Sequence, residues 1–364
     1  MKQRKIPTPK PLFLERMKEV FQNEKDYKSY LKILKTEPPK SIRCNVLKIS
    51  PNKLKKRLEL YGWKLKTPFK DYPEVMIIEG KIVNPNSEKN ILTQQQKTSN
   101  LSVMDNKKGG RLGSRGGQEK IIPLEPGELG RALEHIMGYY YIQELASMLP
   151  VIALKPMENE IILDLCSAPG SKTTQIAASM NNTGTIIANE VSLGRIKILA
   201  SNLERCGMTN TIITKKDGVA LCKRLKKQDM QFDKILVDAP CSGEGTLRTS
   251  HKTYAMWNIK TVKNLPKIQT SLVETALEIL KPKGILVYST CTHSPEENEG
   301  VVNAILNKFN NIKIETIKLP IKCRQGLTCW EDNNYDNEIK KSCRIYPQDN
   351  NTEGFFITKI RKLR

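Results

Sequence analysis

The sequence predicts a doubly wound α/β domain of Rossmann-like type, preceded by a smaller α+β domain, over 364 residues. Three observations carry this. From residue 161 onward short β-rich runs alternate with helical stretches: Ile161-Ile-Leu-Asp-Leu, Thr185-Ile-Ile-Ala-Asn, Thr211-Ile-Ile-Thr, Lys234-Ile-Leu-Val-Asp and Gly284-Ile-Leu-Val-Tyr-Ser-Thr. These runs are continuously apolar rather than alternating, as strands of a parallel sheet buried on both faces must be. Ahead of them, residues 12–78 place helical and strand-like runs in a different, α+β order.

Residues 12–34 set apolar side chains at helical spacing with lysines between, which reads as one or two amphipathic helices packing on a small sheet. Ser41-Ile-Arg-Cys-Asn-Val-Leu and Val75-Met-Ile-Ile supply that sheet, joined through a Lys-rich helix over 52–61. This domain is placed at residues 1–84. Residues 85–120 hold few large apolar groups and include Gln94-Gln-Gln and Lys107-Lys-Gly-Gly-Arg-Leu-Gly-Ser-Arg-Gly-Gly. Burial there offsets little of the entropy of ordering, so a flexible low-complexity loop is expected. The α/β domain takes residues 121–364 and ends in Ile312-Lys-Ile-Glu-Thr-Ile and Phe355-Phe-Ile-Thr-Lys-Ile, suited to an antiparallel edge.

Sixty Lys and Arg against 38 Asp and Glu give a formal charge of +22, an argument about partners rather than fold. Residues 1–66 alone hold 19 Lys/Arg against 6 Asp/Glu, which favours a nucleic-acid surface over a merely solvated face. Nine cysteines without a C-x-x-C pair argue against a disulfide framework or zinc ribbon and fit a reducing compartment. His135, His251 and His293 lack ligand spacing, so no metal is expected. No apolar run approaches the ~20 residues of a membrane span. No membrane contact and a cytoplasmic location are expected.

The first α/β strand runs into Asp164-Leu-Cys-Ser-Ala-Pro-Gly-Ser-Lys-Thr-Thr, with a helix expected over about 172–180. Gly170 permits close backbone approach, and the helix start offers free N–H donors. The glycine spacing before Gly170-Ser171-Lys172 argues against a Walker phosphate loop, and the dinucleotide fingerprint is absent. Glu190 ends the second strand as an acceptor suited to a ribose diol, and Asp217 follows the third, suited to an adenine amino group. Three consecutive strand ends thus outline one adenosine-shaped site, with Asp164 expected to face the cationic end of the cofactor.

The fourth strand ends Val237-Asp-Ala-Pro-Cys-Ser-Gly and the fifth Tyr288-Ser-Thr-Cys-Thr, so Cys241 and Cys291 stand near adjacent strand ends over one pocket. Carbon 5 of cytosine is a poor nucleophile until a thiolate adds at carbon 6, which makes carbon 5 enamine-like. A free thiol titrates near a pKa of about 8.5, so local activation is required, with Lys172 a candidate. Asp238 is suited to hydrogen-bond the ring nitrogen and amino group of the base. This chemistry leaves open which cysteine attacks.

Asp164–Thr174, Asp238-Ala-Pro-Cys-Ser-Gly, Ser289-Thr-Cys and Glu296-Glu-Asn-Glu together resemble the Sun/RsmB-type (NSUN) RNA cytosine-5 methyltransferases. Arg43-Cys-Asn45, Tyr141-Ile-Gln143, Arg344-Ile-Tyr-Pro347 and Gly354-Phe-Phe extend the likeness to nearly the whole chain outside 85–120. Ser171, Glu244 and Gln348 depart from that family's usual glycine, small residue or Thr, and His. The resemblance implies a class I S-adenosylmethionine-dependent methyltransferase domain with an appended RNA-recognition domain. It assigns Cys291 as nucleophile and Cys241 to product release; Asp238, from its chemistry above, is the third catalytic residue expected. By their places at successive strand ends, Cys166, Ser167, Ala168, Pro169, Gly170, Ser171, Lys172, Glu190, Arg195, Asp217 and Asp238 are expected to bind the S-adenosylmethionine. A monomer acting on RNA is expected, with tRNA preferred over rRNA because the chain is compact and lacks long ribosome-docking tails. The competing readings are a non-catalytic RNA-binding assembly factor, which both cysteines and Asp238 oppose, and a DNA methyltransferase, opposed by the absence of a large base-reading domain.

Overall fold

The computed structural model describes residues 9–83 and 120–364; the loop expected over 85–120 lies outside the described residues except at Lys120. Five strands form a small sheet: β1 (Lys40–Cys44), β2 (Trp63–Lys66), β3 (Val75–Val83), β4 (Lys120–Ile122) and β5 (Tyr140–Ile142). Their order is β2-β3-β1-β5 with β4 also on β3, and every pairing is antiparallel. The helix Pro51–Glu59 starts on a proline and carries Leu54 and Leu58 one turn apart. Both leucines bury against Ile42, Trp63, Met76 and Tyr140.

Two expectations change here. The small sheet takes β4 from across the boundary placed at residue 121 and β5 from beyond it, because the edges of β3 and β1 need backbone partners. Three-residue strands carry too little periodicity to show this in sequence. The helices Pro11–Phe21 and Glu24–Ile33 do form, but they do not pack on the small sheet. Their apolar stripe (Phe13, Met17, Phe21, Tyr30) meets Leu247, Trp257, Trp330 and Tyr346 of the α/β domain instead.

The large sheet is built from β6 (Ile161–Asp164), β7 (Thr185–Asn189), β8 (Thr211–Thr214), β9 (Phe232–Asp238), β10 (Leu280–Thr290), β11 (Ile312–Glu315), β12 (Arg324–Gln325), β15 (Cys343–Ile345) and β16 (Phe355–Lys362), with a separate hairpin of β13 (Cys329–Trp330) and β14 (Asn333–Asn334). Strands β8-β7-β6-β9-β10 run parallel in that order. β16 then joins β10 antiparallel, and β15 and β11 pair with successive stretches of β16. Alternate residues point to opposite faces. Leu163, Val237 and Leu286 meet the helices Ile259–Glu278 and Glu299–Lys308, whereas Ile162, Leu236 and Val287 meet Leu145–Leu154 and Ser171–Ser179. The strand order reverses between β6 and β9, which opens a crevice at their carboxyl ends.

The Arg43-Cys-Asn45 run joins the two sheets. Arg43 donates to Gln143 Oε1 at 3.0 Å, Thr174 Oγ1 at 2.8 Å and the Ser171 carbonyl at 3.3 Å. Asn45 Nδ2 donates to the Gly138 and Cys206 carbonyls at 2.9 and 2.7 Å. No helix among the described residues is long and apolar enough to cross a membrane.

Candidate active site

At the crevice, β6 ends on Asp164 and the chain turns through Gly170, whose φ of +103° starts the helix Ser171–Ser179. Asp164 itself does not reach the crevice surface. It is fully buried beneath the turn and accepts from Thr173 Oγ1 at 2.7 Å, and burial pushes its carboxyl up to about 7. The expected contact with a cofactor is therefore replaced by a role in holding the turn.

A cavity of ≈ 360 Å³ spans the ends of β6, β7 and β9. Of the sequence-predicted residues, Cys166, Ala168, Glu190, Arg195, Asp217, Asp238, Cys241 and Cys291 line it. Glu190 is buried, with Oε2 3.0 Å from Arg195 Nη1 and Oε1 accepting from Ser192 N at 2.9 Å. Asp217 caps the helix Gly218–Lys227, accepting from Ala220 N at 2.9 Å. Gly218 beside it leaves room for the helix Ile259–Glu278: a Cβ there would stand 2.6 Å from Leu272 Cδ2, so that side chain would have to shift. Sequence reasoning missed Lys216 and the apolar wall of Val191, Ile268 and Leu272. The last two lie on a helix whose apolar spacing reads as ordinary core, so no motif marks them.

Ser167, Pro169, Ser171 and Lys172 line a second cavity, also ≈ 360 Å³, along with Glu144, Thr249, Glu353 and Phe355, which sequence reasoning also missed. Gly170 lines neither cavity. The two cavities share Cys166, Ala168, Arg195, Asp238 and Cys291, so Asp238 and Cys291 stand where they meet. Asp238 accepts from Lys172 Nζ at 2.7 Å and from Ser289 Oγ at 2.8 Å. Lys172 also donates to Ser147 Oγ at 3.2 Å and lies 5.2 Å from the Phe355 ring. The lysine considered as a thiol activator is thus paired with Asp238.

Cys241 Sγ and Cys291 Sγ are 3.3 Å apart, both as free thiols. Contact with the Cys291 thiol and burial push the Cys241 thiol well above its ordinary range. The loops carrying them are pinned from below. Glu297 Oε2 accepts from Ser242 N and Gln269 Nε2, each at 2.9 Å, and burial pushes this carboxyl up to about 7. Asn298 Nδ2 donates to the Thr292 carbonyl at 3.0 Å, Glu299 pairs with buried Arg344, and Glu296 pairs with Arg16 at 2.7 Å. Each acid or amide of Glu296-Glu-Asn-Glu therefore holds a different segment. Gly245 N donates to the Cys291 carbonyl and Gly354 N to the Gly245 carbonyl, both at 2.8 Å. A Cβ on Gly245 would stand 2.3 Å from Gly354 O, so the contact demands glycine. Of the departures from the family pattern, Glu244 accepts from Trp257 Nε1 at 2.8 Å and Gln348 donates to Asp26 at 3.1 Å, both structural contacts.

A family model described as 16S rRNA methyltransferase RsmB/F matches residues 151–361. A tRNA (cytosine(49)-C(5))-methyltransferase from Pyrococcus abyssi is 44% identical over 235 residues, 65% of this chain and 74% of that protein. The ribosomal RNA small subunit methyltransferase F of Vibrio campbellii is 34% identical over 354 residues, 96% of this chain and 63% of that protein. The protein of the same name from Aeromonas salmonicida is 40% identical over 238 residues, 64% of this chain and 48% of that protein. The chain thus spans between about half and three quarters of these relatives' lengths. Among solved structures, a methyltransferase homolog from Pyrococcus horikoshii superposes with a TM-score of 0.71 at 30% identity, covering 97% of this chain and 100% of that one. NSun6 from Pyrococcus horikoshii with SFG gives a TM-score of 0.72 at 26% identity, with 98% of each chain covered. By these matches over a shared architecture, the chain belongs to the RsmB/F methyltransferase family.

Proposed function

We propose that the chain is an S-adenosylmethionine-dependent RNA cytosine-5 methyltransferase acting on tRNA, with Cys291 as nucleophile and Cys241 assisting release. The observation that carries this is the pair of thiols 3.3 Å apart where two cavities meet beside Asp238. The donor set of the first cavity fits the cofactor: Glu190 and Asp217 are acceptors for a diol and an amine, and Val191, Ile268 and Leu272 give apolar walls for a flat ring. Bound there, S-adenosylmethionine supplies an electrophilic methyl group. The second cavity, with Lys172, Asp238 and Cys291 in its walls, takes the flipped base.

Cys291 Sγ bonds to carbon 6 of the cytosine, and the electron pair of the 5,6 double bond becomes available at carbon 5. Asp238, held by Lys172 and Ser289, accepts from the amino edge of the base and stabilises the adduct. Once carbon 5 is methylated, its proton passes to Cys241 Sγ as the Cys241 thiol proton passes to the departing Cys291 sulfur, so the 5,6 double bond re-forms and the carbon–sulfur bond breaks. Cys241 keeps its thiol protonated beside that sulfur and donates to it as it leaves. The tRNA assignment is supported by the Pyrococcus abyssi enzyme, which is 44% identical against 34% for the Vibrio campbellii enzyme and of which the match covers 74% against 63%.

The test is methyl transfer to unmodified tRNA and small-subunit rRNA transcripts, followed by denaturing electrophoresis of Cys291→Ala and Cys241→Ala with RNA and cofactor. Cys291→Ala should form no covalent RNA complex, whereas Cys241→Ala should accumulate one. The reverse pattern would exchange the roles, and methylation without either cysteine would overturn the mechanism. Methylation of rRNA alone would overturn the tRNA assignment.

A further inference from the structure

The base cavity has one feature that the mechanism leaves unused. Among the described residues lining it, Glu353 alone holds a side-chain oxygen, Oε2, that is buried and without a hydrogen-bond partner. The residue is 3% exposed, and its other oxygen accepts from Thr249 Oγ1 at 2.6 Å. Its backbone is fixed as well. Glu353 N donates to Glu144 Oε1 at 3.0 Å, and the next residue, Gly354, bonds to Gly245, which in turn bonds to the Cys291 carbonyl. The neighbouring carboxylate Glu144 has both oxygens engaged, because its Oε2 accepts from Ala146 N at 2.7 Å and Ser147 N at 3.2 Å. A buried acceptor with no partner is destabilising. It persists where a ligand completes it.

Resting on the cytosine reading above, we infer that Glu353 is a specificity residue whose free oxygen accepts a hydrogen from the exocyclic amine of the target cytosine. That amine carries two hydrogens, and the cavity offers two carboxylates, Asp238 and Glu353, to receive them, with the Lys172 ammonium as a donor for the ring's acceptor atoms. Uracil presents a carbonyl at the same position and is disfavoured by both carboxylates. The burial of Oε2 favours a base atom over a ribose hydroxyl, since a flipped base enters furthest. Burial pushes Glu353 up to about 7, with the Thr249 hydroxyl and Arg248 opposing this and Glu144 adding to it. The acceptor form therefore predominates only above neutral pH.

The test uses the transcript on which the wild type forms its covalent complex, prepared with cytosine, 2-pyrimidinone or 2′-deoxycytidine at the target position. Single-turnover adduct formation is measured for wild type, Glu353→Gln and Glu353→Ala, with cofactor calorimetry reporting that each variant is folded. On cytosine both variants should lose roughly tenfold to hundredfold in rate, with unchanged cofactor affinity. Removing the amine with 2-pyrimidinone should slow the wild type by a similar factor and the variants about fivefold less, which is the coupling of a direct contact. The advantage of wild type over Glu353→Gln should shrink as pH falls below about 7. An equal 2-pyrimidinone penalty in wild type and Glu353→Ala would overturn the inference. So would a coupling found only with 2′-deoxycytidine. A wild type that forms no adduct on any transcript would remove the proposed function, and this inference with it.

Discussion

Arg43→Ala tests how the small sheet is tied to the catalytic machinery. The guanidinium is 4% exposed and spans three acceptors: Gln143 Oε1 at 3.0 Å, Thr174 Oγ1 at 2.8 Å and the Ser171 carbonyl at 3.3 Å. A hydrogen bond from a charged donor contributes about 1.5–3 kcal/mol. Against that, burying the cation costs several kcal/mol, and the same burial holds its pKa down to about 10, leaving it charged at neutral pH. Breaking such a buried arrangement from one side leaves its acceptors unpaired, so the net loss should be about 3 kcal/mol. Arg43→Lys keeps the charge but not the fork and should fall between. Urea unfolding followed by tryptophan fluorescence can read both domains, because Trp63 lies in the small sheet while Trp257 and Trp330 lie in the α/β domain. Turnover on RNA should fall more than cofactor affinity, since Arg43 bonds the helix after the turn but neither Glu190 nor Asp217. A variant within about 0.5 kcal/mol of wild type, with full turnover, would refute the view that this residue joins the domains.

Asp217→Asn should weaken cofactor binding by about tenfold in calorimetry while retaining a capping side chain for the helix Gly218–Lys227; unchanged affinity would remove Asp217 from the site. RNA affinity should fall steeply with salt, and charge reversal at exposed Lys25, Lys28 and Lys32 should weaken binding and flatten that dependence. An unaltered salt slope would place the RNA elsewhere. Point substitutions suit this test better than deletion of the segment, because the first two helices cover Trp257 and Tyr346 and their loss would expose that cluster. Asp164 titrates near 3.8 when unfolded and about 7 when folded, so the folded state holds the extra proton and stability falls as pH rises through that window. Asp164→Asn should remove up to about 4 kcal/mol of that decline in denaturant midpoints between pH 4 and 8. Identical pH profiles for wild type and variant would refute the buried-carboxyl account.

The parallel sheet was legible because its strands are long apolar runs, each ending in a motif with a chemical signature. That Glu190 and Asp217 share one cavity wall could be read from their places at strand ends. Three other things could not be read. β4 and β5 are three residues each and show no period. The stripe of Phe13, Met17 and Phe21 tells that a helix is amphipathic but not which surface it covers, and the deciding partners are hundreds of residues away. Asp164 sits inside a motif beside the cofactor turn, yet the pleat directs its carboxyl under the turn, where Thr173 receives it. Glu353 gave no signal because its property, an unpaired oxygen in a cavity wall, exists only once Thr249 and Glu144 have been brought to it.

The distance between the two thiols follows from the sheet. β9 and β10 pair in parallel with Asp238 opposite Ser289, and the Ser289 hydroxyl closes on the Asp238 carboxylate. Cys241 comes three residues after the first of these and Cys291 two after the second, so the register sets both loops off from one level. Left to themselves, loops leaving adjacent strands diverge. Here Glu297 draws in the Ser242 amide on one side, and Gly245 holds the Cys291 carbonyl on the other. A one-residue slip between β9 and β10 would turn Ser289 to the opposite face and separate it from Asp238. The interdigitated cores on the two faces forbid that slip, because Leu286 and Val287 fill different clusters and cannot exchange places. The packing that selects the fold is therefore what fixes the two sulfurs within contact distance, and Glu297 and the Gly245–Gly354 contact refine a geometry the register has already set.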